Sequence, residues 1–362
     1  MNFAYALIAL SAITLVITIF NALTMRVVRP NSDADIKQKI AVLVPMRNEE
    51  RNVDSLVESL QASRNCSALS VTVLDDNSTD STQALLSKYG SIAVLQGRTL
   101  PEGWLGKNFA CHQLSQSNNA GDSEYLVFVD ADVRLAPLAV SSAVAKMESL
   151  GWDFISPYPQ QIAASFIEKL VQPLLQWSFM SSLPLRIAER LSFESMVVAN
   201  GQFFVVKRSA YQASGGHESI KAQVLDDLEL AKSLTRSGYR GGVADASQIA
   251  RCHMYTSKVE LFEGYRKSLW KAFGNPLAGA LVSLFLCATG VLPLLLGLFI
   301  SPLYFVAYLL TLASRYLSAL RTKSGQAMVV LHCFSIAIFI YLLTTSWWGR
   351  ANGQLTWRGR KI

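Results

Sequence analysis

Hydrophobic and polar positions divide the chain into three stretches. From Phe3 to about Met25 nearly every position is apolar or small and none is charged. About 20 helical residues, at 1.5 Å each, cross a hydrocarbon layer near 30 Å, so this run predicts a membrane-spanning helix. Between about 38 and 250 the apolar runs are short and separated by polar, turn-rich segments. Beyond about 276 long apolar runs return: Leu277–Ile300, which contains Pro293; Leu303–Leu320, which contains Arg315; and Ala327–Trp348, which ends on an aromatic pair of the kind found at membrane interfaces. Arg315 makes the middle run a weak span, and a re-entrant or interfacial segment is expected there.

The middle stretch alternates strand and helix patterns. Ile40–Pro45 is a continuous apolar run stopped by proline, as in a buried parallel strand. From Glu49 to Leu60 the positions Val53, Leu56, Val57 and Leu60 share one helical face. Ser70–Leu74, Ile92–Leu95 and Tyr125–Val129 read as further strands, and Ser78-Thr79-Asp80 offers N-cap chemistry for a helix after the second. This βαβ rhythm predicts a Rossmann-like, doubly wound α/β sheet with ligands at the carboxyl ends of its strands. Expected boundaries are an N-terminal anchor at 1–25, a catalytic domain at 38–275, a C-terminal membrane region at 276–350 and a basic tail at 351–362.

Composition fits this division. The 362 residues are 51% hydrophobic and only 16% charged, with a net charge of +7. The basic residues form no dense patch, so nucleic acid is not an expected partner; an anionic membrane surface and phosphate-bearing substrates are. Arg26 and Arg29 follow the first apolar run, which places that side in the cytosol. The uncharged start Met1-Asn2-Phe3-Ala4-Tyr5 argues against a cleaved signal peptide. Five cysteines without a CxxC pair read as free thiols in a reducing compartment.

Acidic residues gather where the buried runs end. Asp75 and Asp76 follow the second strand; Asp130 and Asp132 follow the fourth. In extended chain, positions i and i+2 point the same way, so Asp130 and Asp132 can address one ligand. Two carboxylates beside a diphosphate repel it unless a hard divalent cation intervenes, and carboxylate oxygens suit Mg²⁺ or Mn²⁺. A DxD tripeptide alone is most often a solvated loop; its place after a five-residue apolar strand changes that.

Val44-Pro45-Met46-Arg47-Asn48-Glu49, Asp75-Asp76-Asn77-Ser78-Thr79-Asp80, Asp130-Ala131-Asp132 and Leu225-Asp226-Asp227 occur in this order. Together they resemble the family 2 glycosyltransferases with the GT-A fold, over about residues 38–275. Gly103-Trp104-Leu105-Gly106-Lys107, the apolar ends and the terminal Trp357-Arg358-Gly359-Arg360 are similar to the branch that glycosylates membrane lipids, including carotenoid glycosyltransferases and hopene-associated relatives. The resemblance implies a nucleotide-sugar pocket containing Pro45, Asn48, Glu49 and Asp76, with Asp130 near ribose or metal. It implies metal ligation by Asp132, with Asp130 and the late His253 beside it.

Asp227 is the implied general base, with Asp226 where the family usually has Glu. Their ordinary alternative is a pair of first-turn acids favoured by the helix dipole. Lys107 is a candidate diphosphate contact, Gly201 and Gln202 candidate substrate contacts, and Arg266 a candidate phosphate contact. The Gln-x-x-Arg-Trp string of processive synthases is absent. The expected activity is inverting transfer of a hexose, UDP-glucose being the expected donor, to a carotenoid or other lipid at the inner membrane, with no protein partner. A polyprenyl-phosphate or glycolipid glycosyltransferase and a non-catalytic membrane scaffold that kept the fold are the competing readings. Phe166–Leu191, rich in Leu, Phe, Met and Trp, is either an ordinary core segment or an interfacial platform.

Overall fold

The computed structural model describes residues 2–357 and 360–361. Arg358 and Gly359 of the terminal motif therefore lie outside the described residues. In chain order, α1 (Asn2–Thr24) precedes β1 (Ile40–Met46), α2 (Val53–Gln61), β2 (Leu69–Asp75), α3 (Thr82–Leu86) and β3 (Ala93–Gln96). Next come α4 (Gly106–Ser115), α5 (Asn118–Gly121), β4 (Tyr125–Val129), β5 (Val133–Leu135), α6 (Ala139–Ser149), β6 (Phe154–Tyr158) and β7 (Gln160–Gln161). Three short helices follow, α7 (Phe166–Val171), α8 (Pro173–Ser182) and α9 (Leu185–Leu191). After them lie β8 (Phe203–Lys207), α10 (Arg208–Ala213), α11 (Asp226–Arg236), β9 (Gly241–Asp245) and β10 (Ala250–Cys252). The chain closes with α12 (Lys258–Ala272), α13 (Pro276–Gly290), α14 (Leu292–Phe299), α15 (Tyr304–Arg321) and α16 (His332–Ala351).

The chain divides into two compact units. One comprises Arg26–Gln160 and Ala188–His253; the other comprises Met1–Met25, Gln161–Ile187 and Met254–Ile362. The first is an α/β unit built on a seven-stranded sheet in the order β3-β2-β1-β4-β8-β6-β9. β1 pairs in parallel with β2 and β4, and β6 with β9, whereas β8 runs antiparallel to β4 and β6. The sheet is therefore mixed in its second half. The residues of β1 and β4 are buried nearly throughout, which is why they read as unbroken apolar runs.

Two helix starts differ from the sequence pattern for one reason. The 47–50 turn and the 76–82 loop use each other's hydrogen-bonding groups. Asn48 N donates to Ser78 Oγ, Glu49 N to Thr82 Oγ1 and Glu50 N to Asp80 Oδ2, while Thr79 N donates to Asn48 Oδ1. These cross-loop bonds hold both segments as turns, and α2 begins at Val53 rather than Glu49, and α3 at Thr82, whose N donates to Asp80 Oδ1.

The second unit holds three helices long and apolar enough to cross a membrane, at Asn2–Thr24, Pro276–Phe299 and Gln326–Ala351. On α1 the polarity is inverted relative to a soluble helix. There the buried positions are Ala4, Leu7, Ser11, Thr14, Thr18 and Asn21, while Phe3, Ile13, Val16 and Leu23 are exposed. Small and polar groups facing neighbouring helices are the packing mode of helices in lipid. Thr18 Oγ1 meets Ser314 Oγ at 2.7 Å, Thr311 Oγ1 donates to Ser11 Oγ at 3.1 Å, and Asn21 Nδ2 donates to the carbonyls of Met180 and Leu183.

The Arg315 run is the continuous helix α15, which is not among the helices long and apolar enough to cross a membrane. α15 runs parallel to α1 along its length, from the Phe3–Tyr304 ring contact to Arg321 Nε donating to Ala22 O. Arg315 is 2% exposed; its Nη2 donates to Leu170 O at 3.0 Å and its Nη1 lies 3.3 Å from His332 Nδ1. The α7–α8 junction explains that partner. Gln172 and Pro173 break the helix, so α7 ends there with its last carbonyls in need of donors. A cation is favourable at such a C-terminal end. Residues 161–187 accordingly belong to this unit: Leu170, Leu174 and Trp177 share its core with Tyr265, Leu286, Ile336 and Phe339.

Candidate active site

Six segments of the α/β unit meet at one cleft: the ends of β1 and β4, the start of α4, the 200–202 loop before β8, the 215–217 turn and the first turn of α11. Pro45, Lys107, Cys111, Phe128, Asp130, Gly201, His217, Asp226 and Asp227 line it. Lys107 is the central charge. Its Nζ lies 2.8 Å from Asp130 Oδ1, 3.0 Å from Asp130 Oδ2 and 3.2 Å from Asp226 Oδ2. Burial opposes the ammonium, yet Asp130 and then Asp226 hold its pKa well above the ordinary lysine value.

Asp227 is held differently. Its Oδ2 accepts from Gly201 N at 2.7 Å and its Oδ1 from Leu228 N at 2.8 Å. Two backbone donors fix the plane of this carboxylate, and oxygen lone pairs remain for a third partner. Burial raises the Asp227 pKa to about 6; Asp226 adds to that, while Lys107 and the two amides oppose it. Asp130 is raised to about 7, first by burial and then by Asp132 and Asp226, against the pull of Lys107. Burial likewise pushes the Cys111 thiol well above its ordinary range, so it stays protonated and a poor nucleophile.

The Gly201 position is tight. A Cβ there would sit 3.0 Å from Asp227 Cβ and 3.5 Å from Lys107 Nζ. The loop is pinned by Ser156 Oγ, which accepts from Asn200 N at 2.7 Å and donates to Asn200 O. Gln202 contributes through its backbone carbonyl, which accepts from Asp130 N at 3.0 Å.

Asn48, Glu49 and Asp76 form a second corner at the ends of β1 and β2. Asn48 and Asn77 sit at φ 53 and 56, a region Asn tolerates. Arg47 Nη1 donates to the carbonyls of Asp76 and Asn77 at 2.6 and 3.1 Å. A Cβ at Gly97 would come within 3.0 Å of Asp76 Cα, so the chain passes close against Asp76 there.

The expected metal set is not assembled as a three-ligand group. Among the described residues no three His, Cys, Asp or Glu side chains converge as a cage. Asp130 is engaged by Lys107, and His253 meets Asp132 through its backbone, His253 N donating to Asp132 O at 3.2 Å. Asp132 still fits a cation: its Oδ1 is buried without a hydrogen-bond partner. Divalent ions on nucleotides commonly take one or two carboxylates, with phosphate oxygens completing the shell. Arg266 lies on α12, in the apolar unit, where its carbonyl accepts from Ser346 Oγ.

Sequence reasoning missed Asn108, Tyr211 and His217. Asn108 is 1% exposed, and its Nδ2 donates to the carbonyls of Ile220, Lys221 and Gln223 at 2.8, 3.2 and 3.0 Å. It thereby ties the start of α4 to the loop that delivers Asp226 and Asp227. Its position next to Lys107 was the only available signal.

The family described as Glycosyl transferase family 2 matches residues 41–215. The chain is 24% identical over 340 residues to a 4,4'-diaponeurosporenoate glycosyltransferase of Staphylococcus aureus strain USA300, covering 89% of this chain and 88% of that relative. Among solved structures it resembles the mannosyltransferase PcManGT from Pyrobaculum calidifontis, solved with GDP-Man and Mn²⁺. That match has a TM-score of 0.53 and 16% identity, covering 96% of this chain and 99% of the other.

Proposed function

From the premise that this chain is a glycosyltransferase, carrying a family 2 domain with the GT-A fold, we propose that it transfers a hexose, with inversion, from a nucleotide-sugar donor to a membrane lipid. The observation that carries this reading is the cleft in which Lys107 bridges Asp130 and Asp226 beside an Asp227 held by two backbone amides. Three helices long and apolar enough to cross a membrane support a membrane location, and Arg26 and Arg29 after the first of them support a cytosolic catalytic unit. UDP-glucose is the proposed donor and a carotenoid or other terpenoid the proposed acceptor, the acceptor class supported by the similarity to a diaponeurosporenoate glycosyltransferase over 89% of this chain.

The chemistry follows from the charges. The acceptor oxygen attacks the anomeric carbon as the bond from that carbon to the diphosphate breaks. Asp227 takes the proton of the attacking hydroxyl, and no covalent intermediate is required. Lys107 is placed to offset charge on the leaving diphosphate, exchanging a carboxylate partner for phosphate oxygen. A divalent cation, held by Asp132 and Asp130, would neutralise the same diphosphate. The Asn48–Glu49 turn and Asp76 are proposed to hold base and ribose. If the acceptor is a carboxylate it attacks already deprotonated, and Asp227 matters less.

The test supplies membranes containing the protein with radiolabelled UDP-glucose and lipid extract, with and without Mn²⁺ or Mg²⁺. Metal-dependent label in the lipid phase is expected, and Asp132→Ala should abolish it. Absence of transfer with every nucleotide sugar would overturn the catalytic reading in favour of a scaffold.

A further inference from the structure

The GGH turn at 215–217 is not accounted for by the roles above. Gly215 and Gly216 both stand at positive φ, 80 and 50. A Cβ at Gly216 would lie 2.4 Å from Tyr211 Cζ, so only glycine lets the turn fold over this ring. The product of that close fit is a buried Tyr–His pair. His217 is 3% exposed and Tyr211 4%. Tyr211 Oη accepts from His217 N at 3.0 Å and lies 2.9 Å from His217 Nδ1. The imidazole meets Phe128 edge to face at 4.8 Å and lines the cleft with Lys107, Asp226 and Asp227.

One tautomer of His217 suits this network. The Tyr211 oxygen already accepts the His217 amide, so its own proton is available to Nδ1. Nδ1 then accepts, and the ring proton resides on Nε2. Burial holds the imidazole pKa down to about 4, so the ring is neutral at working pH. A neutral N–H, unlike an ammonium, adds no charge beside the Lys107 cluster, and suits an uncharged oxygen.

Resting on the glycosyl-transfer reading above, we propose that His217 is a specificity-determining residue whose Nε2–H donates to a hydroxyl oxygen of the sugar or lipid bound in the cleft. Tyr211 is a positioning residue that acts through this imidazole.

The experiment measures kcat/KM in membranes for UDP-glucose and its monodeoxy analogues, with wild type, His217→Phe, His217→Asn and Tyr211→Phe. Wild type should lose about tenfold with one deoxy analogue, the worth of one hydrogen bond. His217→Phe should lose about tenfold with UDP-glucose and nothing further with that analogue. His217→Asn, which keeps a donor, should recover part of the loss, and Tyr211→Phe should show the same pattern more weakly. An acceptor KM raised about tenfold with donor discrimination intact would place the hydroxyl on the lipid. An equal penalty across all donors and acceptors, tracking a fall in melting temperature, would overturn the proposal in favour of a packing role, as would unchanged kinetics. Failure of wild type to use UDP-glucose would instead overturn the donor assignment, and the same series would be run with GDP-mannose.

Discussion

Asp227→Asn is the most informative single change because it preserves shape and removes one proton acceptor. The carboxylate accepts Gly201 N at 2.7 Å on one oxygen and Leu228 N at 2.8 Å on the other. An amide has one oxygen, so one backbone N–H must then face an NH₂ group. Leaving a buried donor unmet costs about 1–3 kcal/mol, which a thermal melt in detergent should register as a modest fall. The kinetic effect is larger: general-base removal typically lowers turnover by about 10²–10⁴-fold, or about 3–5 kcal/mol of barrier. Donor KM should stay nearly unchanged, since the lost interaction belongs to the transition state.

The pH profile supplies a second readout. A base must be deprotonated to act, and burial raises Asp227 to about 6. Wild-type kcat/KM should therefore rise with pH through about 6 and level off above it. Without that shift the limb would lie near the ordinary carboxylate range, about two pH units lower. Asp227→Asn should remove the inflection near 6. Turnover within about threefold of wild type, with the limb intact, would refute the base assignment and favour an acceptor that attacks as a carboxylate.

Lys107→Met leaves Asp130 and Asp226 facing one another without their shared cation, and should lower kcat/KM for the donor by at least about tenfold; titration of donor binding with and without Mn²⁺ checks this. Asn108→Ala removes the donor shared by three loop carbonyls; the expected outcome is a kcat loss of about tenfold with little change in donor KM, as misplacement of Asp226 and Asp227 would produce. Arg315→Met deprives Leu170 O of its donor within the apolar unit; the melting temperature in detergent should fall by several degrees, consistent with about 1–3 kcal/mol for an unsatisfied buried carbonyl. An unchanged melt would show that this carbonyl finds another donor.

The sequence by itself determined the four strands β1 to β4, the acids at their ends and the long apolar runs, because each depends on local burial, which leaves a period of 3.6 or an unbroken run; β6, β8 and β9 were not read from it. Tyr125–Val129 and the acids that follow it were legible on that ground. Helix starts were less so: Glu49 and Ser78 look like openings until the two loops are seen to consume each other's amides. Only the tertiary structure decided that Lys107, on a helix start remote from the acidic motifs, sits between Asp130 and Asp226. It alone turned Arg315 inward onto Leu170 O, gathered Gln161–Ile187 with the apolar ends, and paired His217 with Tyr211 over a glycine turn. The physical reason is common to all of these. Charge pairing and shape fit act between residues far apart in sequence, and leave no periodic trace along the chain.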